Sequence, residues 1–231
     1  MITAILTIDD VASKNTPAIV DYLVSQNITA IMFAHGQKVE ENWDEAIYAL
    51  KYGMIIGNHS YSHPAFSKIT YEEAVEEIER NEKLLDKLYD AAGVERKYRP
   101  FRFPYGDKGG ANKEALQKYF KDNKFNKVKD TQFKYDFWHE EGLDTDIDTL
   151  WTFDFAEYNI RPNSNFTKED VWARMHDENP QYGAVLFKEG NNHMLLLHAH
   201  DETEEMVPRY YEQFIEHLLE NGVTFVKPEF F

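Results

Sequence analysis

Two histidines four residues apart and two adjacent aspartates are the side chains in this sequence best suited to chemistry. His59 and His63 follow the apolar stretch "GMIIGN", and their spacing allows both rings to face one side of a turn and share a metal ion. Asp9 and Asp10 end the stretch "LTIDD"; such a pair alone is more typical of a turn, but one acid on a metal would leave the other as a base. One carboxylate and two imidazoles leave coordination positions open for water and substrate, which is typical of a catalytic metal site.

Three more apolar runs also end in residues that carry chemistry. They are followed by Arg102 and Tyr105 in "RFPY", by Asp154, Glu157 and Tyr158 in "DFAEY", and by His198 and His200 in "LLHAH". Each group alone is weak evidence, since strands often end in polar residues. Together with the aspartate and histidine pairs, however, these groups follow five different strand candidates at similar intervals. In a barrel of strand-helix units, that rim is where the loops after the strands build an active site.

The elements that must position these residues alternate between short apolar runs and longer segments of helical period. This pattern indicates repeated strand-helix units around a parallel sheet or barrel, an α/β fold. The predicted strands are Thr3–Ile8, Thr29–Ala34, Met54–Ile56, Tyr98–Phe103, Thr149–Phe153, His193–Leu197 and Val223–Val226. The predicted helices are Asn15–Ser25, Asp44–Lys51, Tyr71–Asp90, Ala111–Tyr119, Lys168–Asp177 and Glu204–Glu220.

Local sequence signals predict where two of the helices begin, whereas one long segment shows no regular pattern. Thr70 with Glu73, and Thr167 with Asp170, predict capping boxes at the starts of the third and fifth helices. The charged Lys121–Asp148 segment has no clean period. It predicts a weak strand within a long excursion over the surface.

The composition favours one globular domain over residues 1–231 and excludes several kinds of partner. Hydrophobic residues make up 42% of the 231-residue chain, which is enough to bury one sizeable core. The formal charge of -16 argues against nucleic acid and anionic membranes, because both are bound by clusters of lysine and arginine. Since cysteine is absent, a transition metal must be bound by histidines and carboxylates.

The sequence leaves the oligomeric state and the cellular location open. No apolar run reaches the roughly 18 to 20 residues that a membrane-spanning helix needs. The first residues, "MITAILTIDD", lack the basic region and the cleavage site of a signal peptide. The chain as written is therefore expected to be cytoplasmic, or extracytoplasmic if a signal segment precedes it.

The motifs together resemble those of the polysaccharide deacetylases of carbohydrate esterase family 4, the NodB-like domain. "TIDD" resembles the family's T-F-D-D, "HSYSH" matches H-S/T-x-x-H, "RFPY" matches R-x-P-Y, and "LLH" fits the closing L-x-H. The stretch "TAIMFAHGQKVEEN" also resembles the family's second strand and its glycine turn. The motifs follow the family's order along nearly the whole chain, and this agreement is specific where any single motif would not be.

The resemblance implies a distorted (β/α)7 barrel and a metal-dependent N-deacetylase. It implies that Asp9 is the general base that activates water. Asp10, His59 and His63 would bind one divalent ion, with zinc expected and Co, Ni or Mn as the alternatives. His198 would be the general acid.

The remaining motif residues receive supporting roles from the same resemblance. Arg102 would orient and tune the base, and the Tyr105 backbone N–H would help to hold the oxyanion. Asp154, the first residue of the family's D-x-x-D-W motif, is counted with the catalytic residues. This chain reads "DFAEY" there, so Glu157 replaces the second aspartate and Tyr158 replaces the tryptophan. Both are assigned to substrate binding, as the carboxylate that supports the acid and the wall of the acetyl pocket.

The histidine that follows His198 on the same strand face is the competing candidate for the acid. His198 is preferred because it directly follows the apolar run and fits L-x-H. His200 would need a leucine at position 198 to fit that motif.

The expected reaction is removal of an N-acetyl group from an N-acetylhexosamine-containing polymer or oligomer, of the chitin, peptidoglycan or exopolysaccharide type. Amide hydrolysis needs a nucleophile, oxyanion stabilisation and a proton for the leaving amine, and the proposed residues supply all three. The alternatives are an amidase or esterase acting on a small N-acyl or C–N substrate, and a non-catalytic carbohydrate-binding barrel. Trp43, Phe66 and Trp138 are candidates for stacking on sugar rings, with packing as the equal alternative.

Overall fold

Six parallel strands form one sheet at the centre of the structure, a computed structural model that describes residues 1–231. The strand order is β3-β2-β1-β5-β4, and β6 pairs with the start of β1. The strands are β1 (Ile2–Val11), β2 (Ile31–Ala34), β3 (Ile55–Asn58), β4 (Phe153–Asp154), β5 (Asn192–His198) and β6 (Val223–Phe225). The prediction of a parallel α/β fold is thus confirmed.

Helices pack around the sheet. They are α1 (Thr16–Ser25), α2 (Gly36–Glu41), α3 (Trp43–Lys51), α4 (Tyr71–Ala92), α5 (Lys113–Asp122), α6 (Asp136–Glu140), α7 (Lys168–Met175), α8 (Asp201–Met206) and α9 (Tyr210–Glu220). Both predicted capping boxes are present, at the starts of α4 and α7. None of these helices is both long and apolar enough to cross a membrane.

The alternation of side chains along the strands separates the main core from the interior of the barrel. Leu6 and Ile8 of β1 belong to the main core that packs against the helices. Ile5, which precedes Leu6 and points to the other face, belongs to a separate cluster with Phe33 and Met194. Because successive side chains point to opposite faces, the odd-numbered positions of β1 continue toward Asp9 on the interior face.

The Tyr98–Phe103 segment does not form the predicted strand. It makes one parallel bridge, between Phe101 and Asn58, so the barrel is open and distorted on this side. The physical reason is the flanking pair Pro100 and Pro104, which have no N–H to donate to a ladder. The bridge still fixes the segment, since the Arg102 N–H donates to the Asn58 carbonyl.

The predicted Glu204–Glu220 helix is two helices, α8 and α9. Pro208 lies between them, and Arg209 has a left-handed backbone with φ +57°. Proline interrupts the helical hydrogen-bond ladder, and the left-handed residue turns the chain into α9. This break was visible in the sequence as the proline itself.

The Lys121–Asp148 segment is not a surface excursion with a weak strand, as predicted. It contains the short helix α6 and buries Phe133, Trp138 and Leu143 in the cluster that covers the interior face of the sheet. Its far end is anchored by Lys108, whose ammonium donates to Asp146 at 2.7 Å and to Asp148 at 2.8 Å. The segment therefore forms one wall of the barrel interior.

Candidate functional site

The carboxyl ends of β1 and β5 bring the first predicted site residues together. The two strands pair in parallel register, with Asp9 opposite His198. Asp9 pairs on its other side with Phe33 of β2. A single central strand therefore sets the position of the aspartates relative to the C-terminal histidine, although the two lie far apart in sequence.

Asp9 is held by Arg102 inside the barrel. The Arg102 side chain is fully buried, and its Nη1 donates to Asp9 Oδ1 at 2.8 Å and to Thr7 Oγ1 at 2.7 Å. Its Nε donates to the Thr149 carbonyl at 3.0 Å. Because three acceptors fix the guanidinium, one carboxylate oxygen of Asp9 is immobilised. The other oxygen, Oδ2, lies 3.5 Å from His59 Nε2.

Asp10, His59 and His63, which we call the metal cluster, converge on one point. Asp10 Oδ1 lies 3.4 Å from His63 Nε2 and 3.9 Å from His59 Nε2, and the two Nε2 atoms are 3.2 Å apart. Asp10 Oδ1 is buried and has no hydrogen-bond partner. A buried acceptor without a donor is costly, and a cation among these three atoms would satisfy it. The residues present therefore fit a divalent metal ion.

Hydrogen bonds keep the imidazoles of the metal cluster ready to act as ligands. His59 Nδ1 lies 2.8 Å from the Arg102 carbonyl, which can only accept, so Nδ1 carries the proton and Nε2 presents its lone pair. Burial, with the charge of His59 adding to it, lowers the pKa of His63 to about 4. His63 is therefore neutral at physiological pH, as a ligand must be.

Left-handed backbone positions shape the metal cluster. Asp10, Ser60 and His63 have φ of +61°, +65° and +60°. Aspartate and histidine are among the residues that tolerate this region best, and such positions often concentrate at functional sites. The loop is also tied down, because Glu77 accepts hydrogen bonds from the Tyr61 and Ser62 N–H groups at 3.0 and 2.7 Å.

Asp154, Glu157 and His198, which we call the acid cluster, form a second convergence of carboxylates with imidazole. The ligand atoms of the three residues lie within 4.8 Å of one another. Glu157 is fully buried, and its Oε1 lies 3.2 Å from His198 Nδ1 and accepts from the His198 backbone N–H at 2.5 Å. Glu157 therefore contacts His198 on the Nδ1 side of its ring. It does not line the cavity into which both clusters open, although the sequence assigned it to substrate binding.

The acid cluster shifts its own protonation states. Burial alone would lower the pKa of His198, but the charge and hydrogen bond of Glu157, with smaller contributions from Asp9 and Asp10, raise it to about 9. Burial, with the charge of Glu157 adding to it, raises the pKa of Asp154 to about 6. His198 is therefore held as an imidazolium at neutral pH, which is the form that can donate a proton.

Both clusters open into one cavity of about 610 Å³, the active cavity. Tyr105 stands at its rim with 71% of its surface exposed, and its ring lies 4.6 Å from that of His63. Its backbone turns with φ +59°, in the predicted "RFPY" loop. Tyr158 also lines the cavity, with its ring 4.7 Å from the His198 ring.

His200 is the residue whose place the sequence did not predict. Its Nε2–H donates to Asp10 Oδ2 at 2.6 Å, whereas Asp10 Oδ1 is the oxygen that lies near His59 and His63. Burial would raise the pKa of Asp10, but this hydrogen bond and the charges of the surrounding histidines hold it well below the usual range. The alternation along β5 was the available signal, since it placed His198 and His200 on one face.

Seven more residues that line the active cavity were missed by sequence reasoning: His35, Lys38, Trp151, Arg161, Leu196, Asp201 and Glu202. His35 directly follows β2, so the strand-end rule used for the other motifs also applied to it. Only 8% of its surface is exposed, its ring lies 5.6 Å from that of His63, and its Nδ1 has no partner.

The predicted sugar-stacking residues take the packing alternative. Phe66 is fully buried, only 3% of Trp138 is exposed, and Trp43 packs against the main core. The aromatic residues at the active cavity are instead Tyr105, Trp151 and Tyr158. The sequence could not separate these two groups, because their burial depends on contacts distant along the chain.

Comparison with known families supplies the identity of the fold. A family model described as "Polysaccharide deacetylase" matches residues 2–124, slightly more than half of the 231 residues. The chain belongs to the polysaccharide deacetylase family. The matched region contains Asp9, the metal cluster and Arg102, whereas the acid cluster lies beyond it.

The alignments with curated relatives cover less than half of this chain. A peptidoglycan-N-acetylglucosamine deacetylase of Bacillus cereus is 35% identical over 103 residues, which are 44% of this chain and 36% of the relative. Chitin deacetylase 1 of Cryptococcus neoformans is 35% identical over 102 residues, 44% of this chain and 21% of the relative. The match thus spans about a third or less of these relatives' length.

Solved structures share the fold over nearly the whole chain. A peptidoglycan N-acetylglucosamine deacetylase superposes with a TM-score of 0.67 at 21% identity, covering 97% of this chain and 85% of that one. The chitin deacetylase of Colletotrichum lindemuthianum gives 0.63 at 19% identity, covering 97% and 84%. A carbohydrate esterase family 4 pseudoenzyme, crystallised as a mutant, gives 0.58 at 22% identity, covering 96% and 64%. Since enzymes and a pseudoenzyme share this fold, activity must be argued from the site residues.

Proposed function

We propose that the protein is a metal-dependent hydrolase that removes N-acetyl groups from a polysaccharide or oligosaccharide containing N-acetylhexosamine. The observation that carries this proposal is the pairing of two clusters in one cavity. The metal cluster presents a buried carboxylate oxygen without a partner beside two imidazole nitrogens. The acid cluster presents a charged imidazole to the same cavity. Family membership supports the assignment.

In this proposal Asp10, His59 and His63 hold one divalent ion. Zinc fits a donor set of one carboxylate and two imidazoles, and Co, Ni or Mn are the alternatives for the same donors. When bound, the ion would lower the pKa of water toward neutrality and polarise the acetyl carbonyl. The three protein ligands leave coordination positions free for that purpose.

Asp9 is the proposed general base. Its Oδ1 is engaged by Arg102 at 2.8 Å, while Oδ2 faces the metal cluster and is free to take a proton from the attacking water. Arg102 is a positioning residue, since it is fully buried and reaches the reaction only through Asp9. The Tyr105 backbone N–H is proposed to stabilise the oxyanion, because its turn stands at the rim beside His63.

His198 is the proposed general acid, and it gives its proton to the departing sugar amine. Glu157 holds the His198 ring through Nδ1, so Nε2 is the nitrogen left to face the cavity. Asp154 contributes to the same cluster, and Tyr158 lines the cavity beside the ring, where an acetyl methyl group would lie. Glu157 and Tyr158 thus replace the aspartate and tryptophan of the family motif, and residues 1–231 form one catalytic domain.

The experiment is acetate release from chitin oligomers, peptidoglycan and an exopolysaccharide, measured with and without a chelator. We expect acetate from at least one substrate, loss of activity with chelator and recovery on adding a divalent ion. An amidase or esterase of small molecules would act on small N-acyl compounds and leave all three polymers unchanged. A non-catalytic sugar-binding barrel would bind the polymers and release no acetate.

A further inference from the structure

A second pair of imidazoles lies outside the active cavity, between helices α7 and α9. His176 directly follows α7, and His217 lies in the last turn of α9. Their Nε2 atoms are 2.8 Å apart. Neither histidine lines the active cavity, and neither belongs to the metal cluster or to the acid cluster. The proposed function therefore leaves these two residues, which we call the helix pair, without a role.

The helix pair repeats the ring geometry of the two histidines in the metal cluster. The ring centroids of His176 and His217 are 5.0 Å apart, and the ring planes are inclined by 71°. For His59 and His63 the corresponding values are 4.8 Å and 68°, with the Nε2 atoms 3.2 Å apart. In both pairs, two steeply inclined rings bring their Nε2 atoms to one point. Imidazoles arranged in the same way are suited to the same kind of ligand.

The packing of α7 against α9 sets this geometry before any ligand binds. At the start of α7, Lys168 Nζ donates to Gln213 Oε1 at 3.2 Å. One helical turn later, the Trp172 ring lies 4.8 Å from the ring of His217. The next turn brings His176 to the same His217. Because these contacts fix the register of the two helices, little conformational freedom is lost when an ion binds between the rings.

The spacing of the two nitrogens is close to that of a transition-metal site. Zinc binds imidazole nitrogens at roughly 2.0–2.1 Å, so two of them on a tetrahedral ion lie about 3.3 Å apart. The Nε2 atoms of the helix pair would have to separate by only about half an ångström. The His176 side chain is exposed, so it can make this movement and an ion can reach it from solvent. Imidazole suits zinc, nickel and copper, whereas calcium and magnesium prefer oxygen ligands.

The surroundings of the helix pair favour a cation. Both histidines lie at the C-terminal ends of their helices, where the helix dipole favours positive charge. Glu220 follows His217 by three residues, so its carboxylate belongs to the same side of α9. Asn221 Nδ2 donates to the His217 carbonyl at 2.8 Å and lies 3.4 Å from His217 Nε2. That second contact is long for a hydrogen bond, so an ion could replace it at little cost.

We propose that His176 and His217 bind a second divalent transition-metal ion, of the zinc, nickel or copper class, which joins α7 to α9. Two protein ligands bind more weakly than three, so this ion should occupy the helix pair only when free metal is supplied. Dialysis against metal-free buffer should remove it and leave the ion of the metal cluster. The effect of the ion would be structural. Since α7 carries Arg174, which donates to the Asp154 carbonyl at 2.9 Å, the ion would also steady the border of the acid cluster.

The test counts zinc per protein by mass spectrometry after equilibrium dialysis against excess free zinc. Wild type should take up one ion more than it keeps after dialysis against metal-free buffer. His176→Ala and His217→Ala should each lose that additional ion, and the exposed position of His176 should leave the fold of the first variant intact. His139→Ala should keep the additional ion. It is the matched control, because His139 is an exposed imidazole paired with Asp144 away from both sites.

Wild type without an additional ion, or two single variants that both keep it, would overturn the helix pair as a metal site. Thermal melting of the combined variant Asp10→Ala, His59→Ala and His63→Ala separates this inference from the proposed function. Excess zinc should raise its melting temperature, and adding His176→Ala should abolish the rise; an unchanged melting temperature would overturn the inference too. If the combined variant keeps its tightly bound ion while His176→Ala loses the additional one, the metal cluster fails and the helix pair is supported.

Discussion

The metal cluster and the acid cluster contain the same kinds of side chain and open into the same cavity, yet they are suited to opposite tasks. Each combines carboxylate and imidazole groups whose atoms lie within 4.8 Å of one another. In the metal cluster, His63 has a pKa lowered to about 4, whereas His198 in the acid cluster has one raised to about 9. Residue type alone therefore does not assign the chemistry of either cluster.

The difference lies in the charges that face the rings: burial and the charge of His59 lower the pKa of His63, whereas at His198 the Glu157 carboxylate outweighs burial. His59 Nδ1 donates to the neutral Arg102 carbonyl, which fixes the tautomer without adding a charge. His198 Nδ1 donates to the Glu157 carboxylate, which favours the imidazolium. A carbonyl partner prepares a ligand, and a buried carboxylate partner prepares an acid. The same reasoning assigns the orphaned Asp10 Oδ1 to a cation, since both nearby imidazoles present nitrogen to it.

The largest expected effect comes from removing the metal cluster. In the combined variant Asp10→Ala, His59→Ala and His63→Ala, bound metal and acetate release should both fall to background, because no ligand remains. Metal content per protein, measured by mass spectrometry, tests this directly. His139→Ala is the matched control, because His139 is an exposed imidazole paired with Asp144 outside the active cavity. Metal retained at the wild-type level in the combined variant would contradict the assignment.

Replacing Asp9, the proposed base, should separate metal binding from turnover. Asp9→Asn keeps an oxygen that can accept from Arg102, so the fold and the metal content should be unchanged. The amide cannot take the water proton, so turnover should fall on the order of 10²- to 10⁴-fold. Metal content, the melting curve and acetate release are measured on the same sample. Activity within a few-fold of wild type would show that Asp9 is not the base.

Much of this arrangement follows from local sequence. The strand-end rule found Asp9, His59 and His198, because an apolar run and its terminal residue are adjacent in the chain. The strand-end rule could not predict contacts between residues that lie far apart in the chain. The hydrogen bond from His200 to Asp10 joins residues 190 positions apart, and its existence depends on the register of β1 against β5. The burial of Trp138 has the same kind of cause, since its partners lie on other elements.

The two histidines of β5 should differ in which reaction they limit. His198→Ala should abolish N-deacetylation yet spare part of the hydrolysis of an activated aryl acetate, because only the amine needs a proton to leave. His200→Ala should cost much less on both substrates when metal is saturating. Because His200 orients Asp10, the His200→Ala substitution should instead weaken metal affinity by about 10- to 100-fold.

Kinetics on both substrates, together with competition against a chelator, distinguish these outcomes. A selective loss of amide hydrolysis in His200→Ala, with His198→Ala spared, would transfer the role of acid to His200. Unchanged metal affinity in His200→Ala would show that its hydrogen bond to Asp10 does not support the metal cluster. Either result would change the roles assigned to His198 and His200 in the two clusters.

The smallest expected effect tests the charge of Glu157, which distinguishes the acid cluster from the metal cluster. In wild type the pKa of His198 is raised from 6.5 to about 9, so the ring stays protonated at neutral pH and loses its proton as the pH rises through about 9. Glu157→Gln removes the main opposing charge while keeping an oxygen near Nδ1. The pKa of His198 should then fall toward 6.5, although the charges of Asp9 and Asp10 still act on it.

The alkaline limb of kcat/KM should consequently move to lower pH in Glu157→Gln, with a loss of only several-fold on its acidic side, where the ring is still protonated. The pH profile is recorded beside that of Glu220→Gln, an exposed carboxylate change at the end of α9. That control should leave the limb in place, because an exposed charge is screened by water and salt. If the limb stays in place in Glu157→Gln too, the Glu157 carboxylate does not set the protonation of His198. The raised pKa of His198 would then have to come from the charges of Asp9 and Asp10.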